Sequence, residues 1–125
     1  MNFNKENTFR GEWIKDILVN PDGEIWFADD TGNGIYIYKD QQWTHLSADQ
    51  GFPENVKTLA RDLSGNIWIG TSNGLFRYNG TDITVFSTTD GLISNDVNDI
   101  LTDAGNNVFI ATSSGLSILL SLIHI

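Results

Sequence analysis

The chain repeats itself about every 40 residues, and that period limits its possible folds more than any other feature. The middle copy runs Val56-Lys57-Thr58-Leu59-Ala60-Arg61-Asp62-Leu63-Ser64-Gly65-Asn66-Ile67-Trp68-Ile69-Gly70-Thr71, then Gly74-Leu75-Phe76-Arg77-Tyr78. The first copy opens at Ile14-Lys15-Asp16-Ile17, carries Gly23-Glu24-Ile25-Trp26-Phe27-Ala28 and resumes at Gly34-Ile35-Tyr36-Ile37-Tyr38. The third has Val97-Asn98-Asp99-Ile100, Asn107-Val108-Phe109-Ile110-Ala111-Thr112 and Gly115-Leu116. Trp26 lies 42 residues before Trp68, and Trp68 lies 41 before Phe109. The stretch Trp43-Thr44-His45-Leu46-Ser47 recurs 40 residues later as Ile83-Thr84-Val85-Phe86-Ser87.

Within each unit, short apolar runs alternate with Gly, Asn and Asp, which predicts four strands joined by tight turns. In the middle copy strand A is Val56 to Asp62, strand B Asn66 to Thr71, strand C Gly74 to Tyr78 and strand D about Ile83 to Ser87. Strand B is almost wholly apolar, as expected of a sheet covered on both faces. The small residue after its core, Ala28, Gly70 or Ala111, lets a neighbouring chain approach closely. Helical periodicity is absent. One four-stranded sheet per repeat predicts an all-β fold, a partial β-propeller of about three antiparallel blades.

The expected division is residues 1–13 as the end of a preceding blade or connector, 14–55 as blade 1, 56–96 as blade 2 and 97–119 as an incomplete blade 3. A propeller needs four to eight blades, so the chain reads as cut from a larger one. Blades 1 and 3 are then left with apolar faces, and self-association is expected. Residues 120–125 depart from the repeat and resemble the translation of a transposase adapter used in sequencing libraries. They are set apart as a non-native tail.

Composition narrows function by exclusion. A formal charge of −9 argues against nucleic acid and anionic membranes, whose affinity comes from Lys and Arg. There are no cysteines, hence no disulfide or thiolate chemistry. No signal peptide opens the sequence, and no apolar run is long enough to span a bilayer.

Candidate chemistry is sparse. His45 falls on the outermost strand, and without a second native histidine a Ser-His-Asp triad or histidine metal site finds no support. Asp29-Asp30-Thr31-Gly32-Asn33-Gly34, with Asp40 at the twelfth place, faintly echoes a calcium loop. The simpler reading is a two-residue insertion in the turn between strands B and C. Asn55 and Asn95, in the connectors from strand D to the next strand A, are expected to bond backbone groups. In an up-and-down meander these connectors and the B–C turns emerge at one end. A ligand site, if present, collects there Asp29, Asp30, Asn73, Asn95 and Ser114. Trp26, Trp68 and Trp43 are expected in the core, and Trp13 is the tryptophan free to stack on a ligand. No catalytic, metal or cofactor-binding residue is assigned.

The strings Gly65-Asn66-Ile67-Trp68-Ile69-Gly70-Thr71-Ser72-Asn73-Gly74-Leu75-Phe76-Arg77-Tyr78-Asn79-Gly80 and Asp90-Gly91-Leu92-Ile93-Ser94-Asn95-Asp96-Val97-Asn98-Asp99-Ile100-Leu101 resemble two-component regulator propeller repeats, over residues 14 to 118. The resemblance implies a non-catalytic sensor propeller, seven-bladed when complete, periplasmic or extracellular. Its partners would be further blades, downstream signalling domains, and a glycan or other small polar ligand. Asn20-Pro21-Asp22-Gly23-Glu24-Ile25-Trp26-Phe27 is also similar to repeats of streptogramin lyase, which implies a competing enzymatic role requiring a histidine and a metal. A structural or adhesion propeller is the third reading.

Overall fold

The computed structural model describes residues 13–121. The expected connector up to Glu12 and the tail from Leu122 onward lie outside the described residues. Among the described residues, eleven strands form three antiparallel sheets. The first holds β1 (Ile14–Val19), β2 (Ile25–Asp29), β3 (Gly34–Lys39) and β4 (Gln42–Leu46). The second holds β5 (Val56–Arg61), β6 (Ile67–Thr71), β7 (Gly74–Tyr78) and β8 (Ile83–Phe86). The third has β9 (Val97–Thr102), β10 (Val108–Thr112) and β11 (Gly115–Leu119). Each sheet is a simple meander in chain order, and among the described residues the three do not close a ring. Equivalent strands share one register: Trp68 pairs with Ala60 and Arg77, as Trp26 pairs with Leu18 and Ile37.

Side chains alternate between the two faces of a strand, so each blade presents one set to the blade before and another to the blade after. Between sheets one and two, Trp26, Ala28, Ile35 and Ile37 meet Val56, Leu59, Ile67 and Ile69 in a buried cluster. Between sheets two and three, Ala60, Trp68 and Leu75 meet Val97, Ile100, Val108 and Ile110. The innermost strands, β1, β5 and β9, touch from blade to blade. Close approach there depends on the small residue in strand B. A Cβ on Gly70 would lie 2.4 Å from Thr58 Cγ2 and 2.7 Å from Val97 Cγ1, the latter in the next blade.

The turn from strand A to strand B is built on a carboxylate. Asp62 is expected at the end of strand A, but β5 stops at Arg61 and Asp62 turns inward, buried. Its Oδ1 accepts the Ser64 and Asn66 amides at 3.0 and 2.9 Å. Its Oδ2 accepts Asn66 Nδ2 and Trp68 Nε1, both at 2.9 Å. Asp103 repeats the arrangement with Gly105 and Asn107. The first blade has Asn20 at this place, and its buried Oδ1 has no hydrogen-bond partner. There Trp26 Nε1 donates to Glu24 instead, at 3.1 Å.

Two expectations need correction. The D–A connectors each contain a 3-10 turn, Ala48–Gln50 and Thr88–Asp90, closed by Gly51 and Gly91 in the left-handed region. The signal was local rather than periodic: Ser47 is followed three residues on by Gln50, and Ser87 by Asp90, each reaching back to the serine amide. Trp43 is not core, being 43% exposed on β4, where it lies against Tyr38 and Phe27 with centroids at 4.8 and 5.5 Å. It faces away from the second blade.

Gly70→Ala is expected to lower stability by about 1–3 kcal/mol through overpacking, read as a lower urea midpoint. Burial alone raises the Asp62 pKa, but the bonds from Asn66, Trp68 and Ser64 outweigh it and hold it below the ordinary 3.8. The stabilisation from this group is therefore complete above about pH 3.8 and is lost as pH falls through the folded value. Asp62→Asn should cost about 2–3 kcal/mol at pH 7, and its deficit against the parent should narrow in acid denaturation below pH 4.

Candidate functional site

Strand order places the B–C turns and the D–A connectors at one end of the assembly, and backbone contacts join them there. The Gly74 amide donates to the Asn95 carbonyl at 2.7 Å, and the Ser113 amide to the Asp96 carbonyl at 3.1 Å. Gly34, at the end of the first B–C turn, sits so near the following connector that a Cβ would lie 2.8 Å from the Pro53 carbonyl. This end is a continuous rim of polar turns.

The five anticipated residues fall on this rim with different duties. Asp29 is fully buried. Its Oδ1 accepts the Thr31 amide at 2.8 Å as well as the Thr31 hydroxyl, and Asn33 Nδ2 donates to Oδ2 at 3.4 Å. It holds the turn from inside. Asp30 is half-buried, and its amide donates to the Trp13 carbonyl at 3.2 Å. Asn73 and Ser114 are exposed at equivalent turn positions. Their amides donate to Thr71 Oγ1 and Thr112 Oγ1, at 2.9 and 3.2 Å. Asn95 accepts the Thr88 amide on Oδ1 at 2.9 Å, the backbone-bonding role expected of it.

Asp40 takes no part in this end. With Gln41 it forms the two-residue turn between β3 and β4, both with positive φ. The six residues of β3 put it about 20 Å from Asp29 at ~3.3 Å per residue. The calcium-loop echo therefore has no twelfth ligand in place, and the insertion reading accounts for Thr31 to Asn33.

Sequence reasoning missed a polar clasp between blades 2 and 3. Lys57, half-buried at the β-bulge of β5, donates to the Asp96 carboxylate and to Asn98 Oδ1 at 3.0 Å. The Ser113 hydroxyl donates to the other Asp96 oxygen. One signal was available: five residues separate Gly91 from Val97, against four between Gly51 and Val56, and the longer connector admits Asp96. Deeper along the same strands, Thr58 Oγ1 lies between two carboxylates, 3.1 Å from Asp16 Oδ2 and 3.3 Å from Asp99 Oδ1. Asp16 Oδ2 also accepts the Leu59 amide at 2.8 Å.

His45 is exposed on the outermost strand, stacked on Tyr36 at 4.5 Å between centroids, with Nε2 bonded to the Asn33 carbonyl. It walls an open hollow of about 260 Å³ with Asn33, Ser47, Asp49 and Glu54. Trp13 is exposed, as expected, and already carries the Lys15 ammonium 4.2 Å from its ring centroid.

Hydrogen bonds from Lys57 and then Ser113 lower the Asp96 pKa below its ordinary 3.8. The clasp thus contributes above that pH and is lost as pH drops through the folded value. Asp96→Asn should lower the melting temperature at pH 7, and the difference from the parent should shrink as the pH is taken progressively below 3.8.

The sequence matches no family profile. Over 71 residues, 54% of the chain, it is 35% identical to histidine kinase P4 of Formosa agariphila, of whose length it spans only 5%. The fold matches the extracellular domains of two proteins assigned as hybrid two-component systems in B. thetaiotaomicron. One has a TM-score of 0.76 at 24% identity, covering 94% of this chain and 17% of that one. The other has 0.75 at 25%, covering 96% and 16%. Streptogramin B lyase shares the fold at a TM-score of 0.64 and 15% identity, covering 93% and 43%. With its 40-residue period and three meander blades, the chain shares the fold of these extracellular domains, of which it spans about a sixth.

Proposed function

We propose that the chain is part of the extracytoplasmic sensing propeller of a two-component signalling protein, with no reaction of its own. The observation that supports this most is the likeness over 96% of the chain to the extracellular domain of such a system. The sequence similarity to a histidine kinase supports the same reading. Blades before and after, and signalling domains downstream, would be its partners in the parent protein.

The rim is where we place recognition. Asp30, Asn73, Asn95 and Ser114 offer mixed donors and acceptors on short, well-anchored turns, with Asp29 fixing the turn that carries Asp30. Among the named rim groups the charged ones are carboxylates, and the basic Lys57 is already engaged by Asp96. That chemistry suits a neutral polyhydroxylated ligand such as a glycan better than an anion. Nothing at His45 favours the lyase reading, because its Nε2 is turned to a backbone carbonyl on the outermost strand.

A neutral hexasaccharide and its uronic-acid analogue can serve as probes in a thermal-shift titration. The neutral sugar should raise the melting temperature, with about 2.7 kcal/mol of stabilisation at a hundredfold excess over Kd, and the acidic one should not. Asn73→Ala with Ser114→Ala should abolish the shift while leaving the unliganded melt unchanged. Absence of a shift with both probes would remove the glycan assignment. A parent gene with a histidine-bearing later blade and no downstream membrane helix would remove the sensor role.

A further inference from the structure

Where glycine follows asparagine, the backbone nitrogen can attack the asparagine side chain, because glycine has no Cβ to obstruct the approach. The chain holds three such pairs, Asn33-Gly34, Asn73-Gly74 and Asn79-Gly80, each at a strand-to-strand turn. The attack needs a glycine amide free to act as nucleophile and an asparagine Nδ2 free to leave. It is helped by donors on the oxygen where charge develops. The fold grants these conditions unequally.

At Asn33 the leaving group is engaged, since Nδ2 donates to Asp29 Oδ2 at 3.4 Å and to Thr31 Oγ1 at 3.2 Å. Gly34 is also buried against Pro53. At Asn73 the nucleophile is engaged, because the amide of the buried Gly74 donates to the Asn95 carbonyl at 2.7 Å. Asn79 and Gly80 are both exposed, with open space around Gly80. Among the described residues the Gly80 amide and Asn79 Nδ2 make no hydrogen bond. Asn79 Oδ1 accepts the Thr81 amide at 2.9 Å and the Asp82 amide at 2.7 Å. Those two donors sit on the atom that becomes negative when Cγ is attacked, the arrangement that stabilises a tetrahedral oxyanion.

We propose that Asn79 is a self-modification site, at which the folded chain deamidates spontaneously. The Gly80 nitrogen gives its proton to solvent base and bonds to Asn79 Cγ. The bond from Cγ to Nδ2 breaks, and Nδ2 takes a proton from water and leaves as ammonia, closing a succinimide. Water then opens the ring. Attack at Cγ gives aspartate, and attack at the main-chain carbonyl gives isoaspartate, with the backbone rerouted through the side chain. No oxidant or reductant is required. Either product adds a carboxylate to the net −9, beside Asp82. Isoaspartate also lengthens the turn between β7 and β8, which the Asn79 amide now closes on the Asp82 carbonyl at 3.2 Å. This turn lies at the end opposite the polar rim, and the inference rests on the fold and not on the sensing role.

Ageing the full chain in mildly alkaline buffer, folded and in urea, tests this, with each site followed by tryptic mass mapping. Cleavage after Lys39, Arg61 and Arg77 puts Asn33, Asn73 and Asn79 on separate peptides. Ammonia lost and water gained mark the product, and fragmentation fixes its position. In the folded chain Asn79 should convert about tenfold or more faster than Asn33 and Asn73, which must wait for local opening. In urea the three rates should converge. Asn79→Gln should remove the fast phase of ammonia release, because its longer side chain has to close a larger ring. Conversion of Asn33 or Asn73 as fast as Asn79 in the folded chain overturns the assignment. So does folding that slows Asn79 as much as the other two, or a fast phase that maps to another asparagine.

Discussion

A four-stranded meander with apolar side chains on both faces cannot bury itself, and this need for two neighbours governs everything else in the molecule. Each blade is the solvent shield of the next. The inner strands must come close enough for Thr58 to reach carboxylates on both sides, and a larger side chain at Gly70 would prevent it. The packed interior is therefore not one core but a series of equivalent layers, each completed by residues from two repeats. Stability in such a stack is shared between the blades and the junctions between them, so a weak junction weakens both blades it joins.

Polar groups are arranged to serve that stacking. Asp62 and Asp103 tie down the A–B turns from inside, and the Trp68 indole is anchored by the first of them. At the opposite end the clasp of Lys57, Asp96 and Ser113 joins two blades across the rim. The same end gathers the turns that we assign to recognition, so the surface offered to a ligand is backed by hydrogen bonds rather than by loose loops. The two-residue insertion in the first blade enlarges that surface locally, with Asp29 buried beneath it as the post on which the turn is hung.

Much of this was legible in the sequence because the repeat compares the protein with itself. Three aligned copies gave the strands, the tight turns and the role of the small residue in strand B. What escaped was of two kinds. The 3-10 turns are too short for any periodicity and are written only in serine followed by Gln50 or Asp90. Trp43 was misplaced because its position aligns with Ile83, and alignment reports the face a residue occupies but not whether a blade exists to cover it. For the rim residues, spacing found the end of the molecule on which they lie. It could not tell that Asp29 points inward, because a turn-closing aspartate and a solvent-facing one look alike in a string of letters.

The A–B turns carry one further consequence. Gly23, Gly65 and Asn106 occupy the same left-handed position, and glycine suffices at the first two. Asn106 uses its side chain to reach back one blade, accepting the Leu63 amide at 2.8 Å and donating to Ser64 Oγ at 2.9 Å. One junction earlier, the place of Leu63 belongs to Pro21, which has no amide hydrogen to give, and Gly65 stands where the asparagine would have been useless. The interchangeable interiors could stack in any sequence, whereas these small surface latches fit only the neighbour they have. Blade order is thus inscribed on the outside of the molecule, and a shuffled version of this chain would keep its hydrophobic layers while losing its stitching.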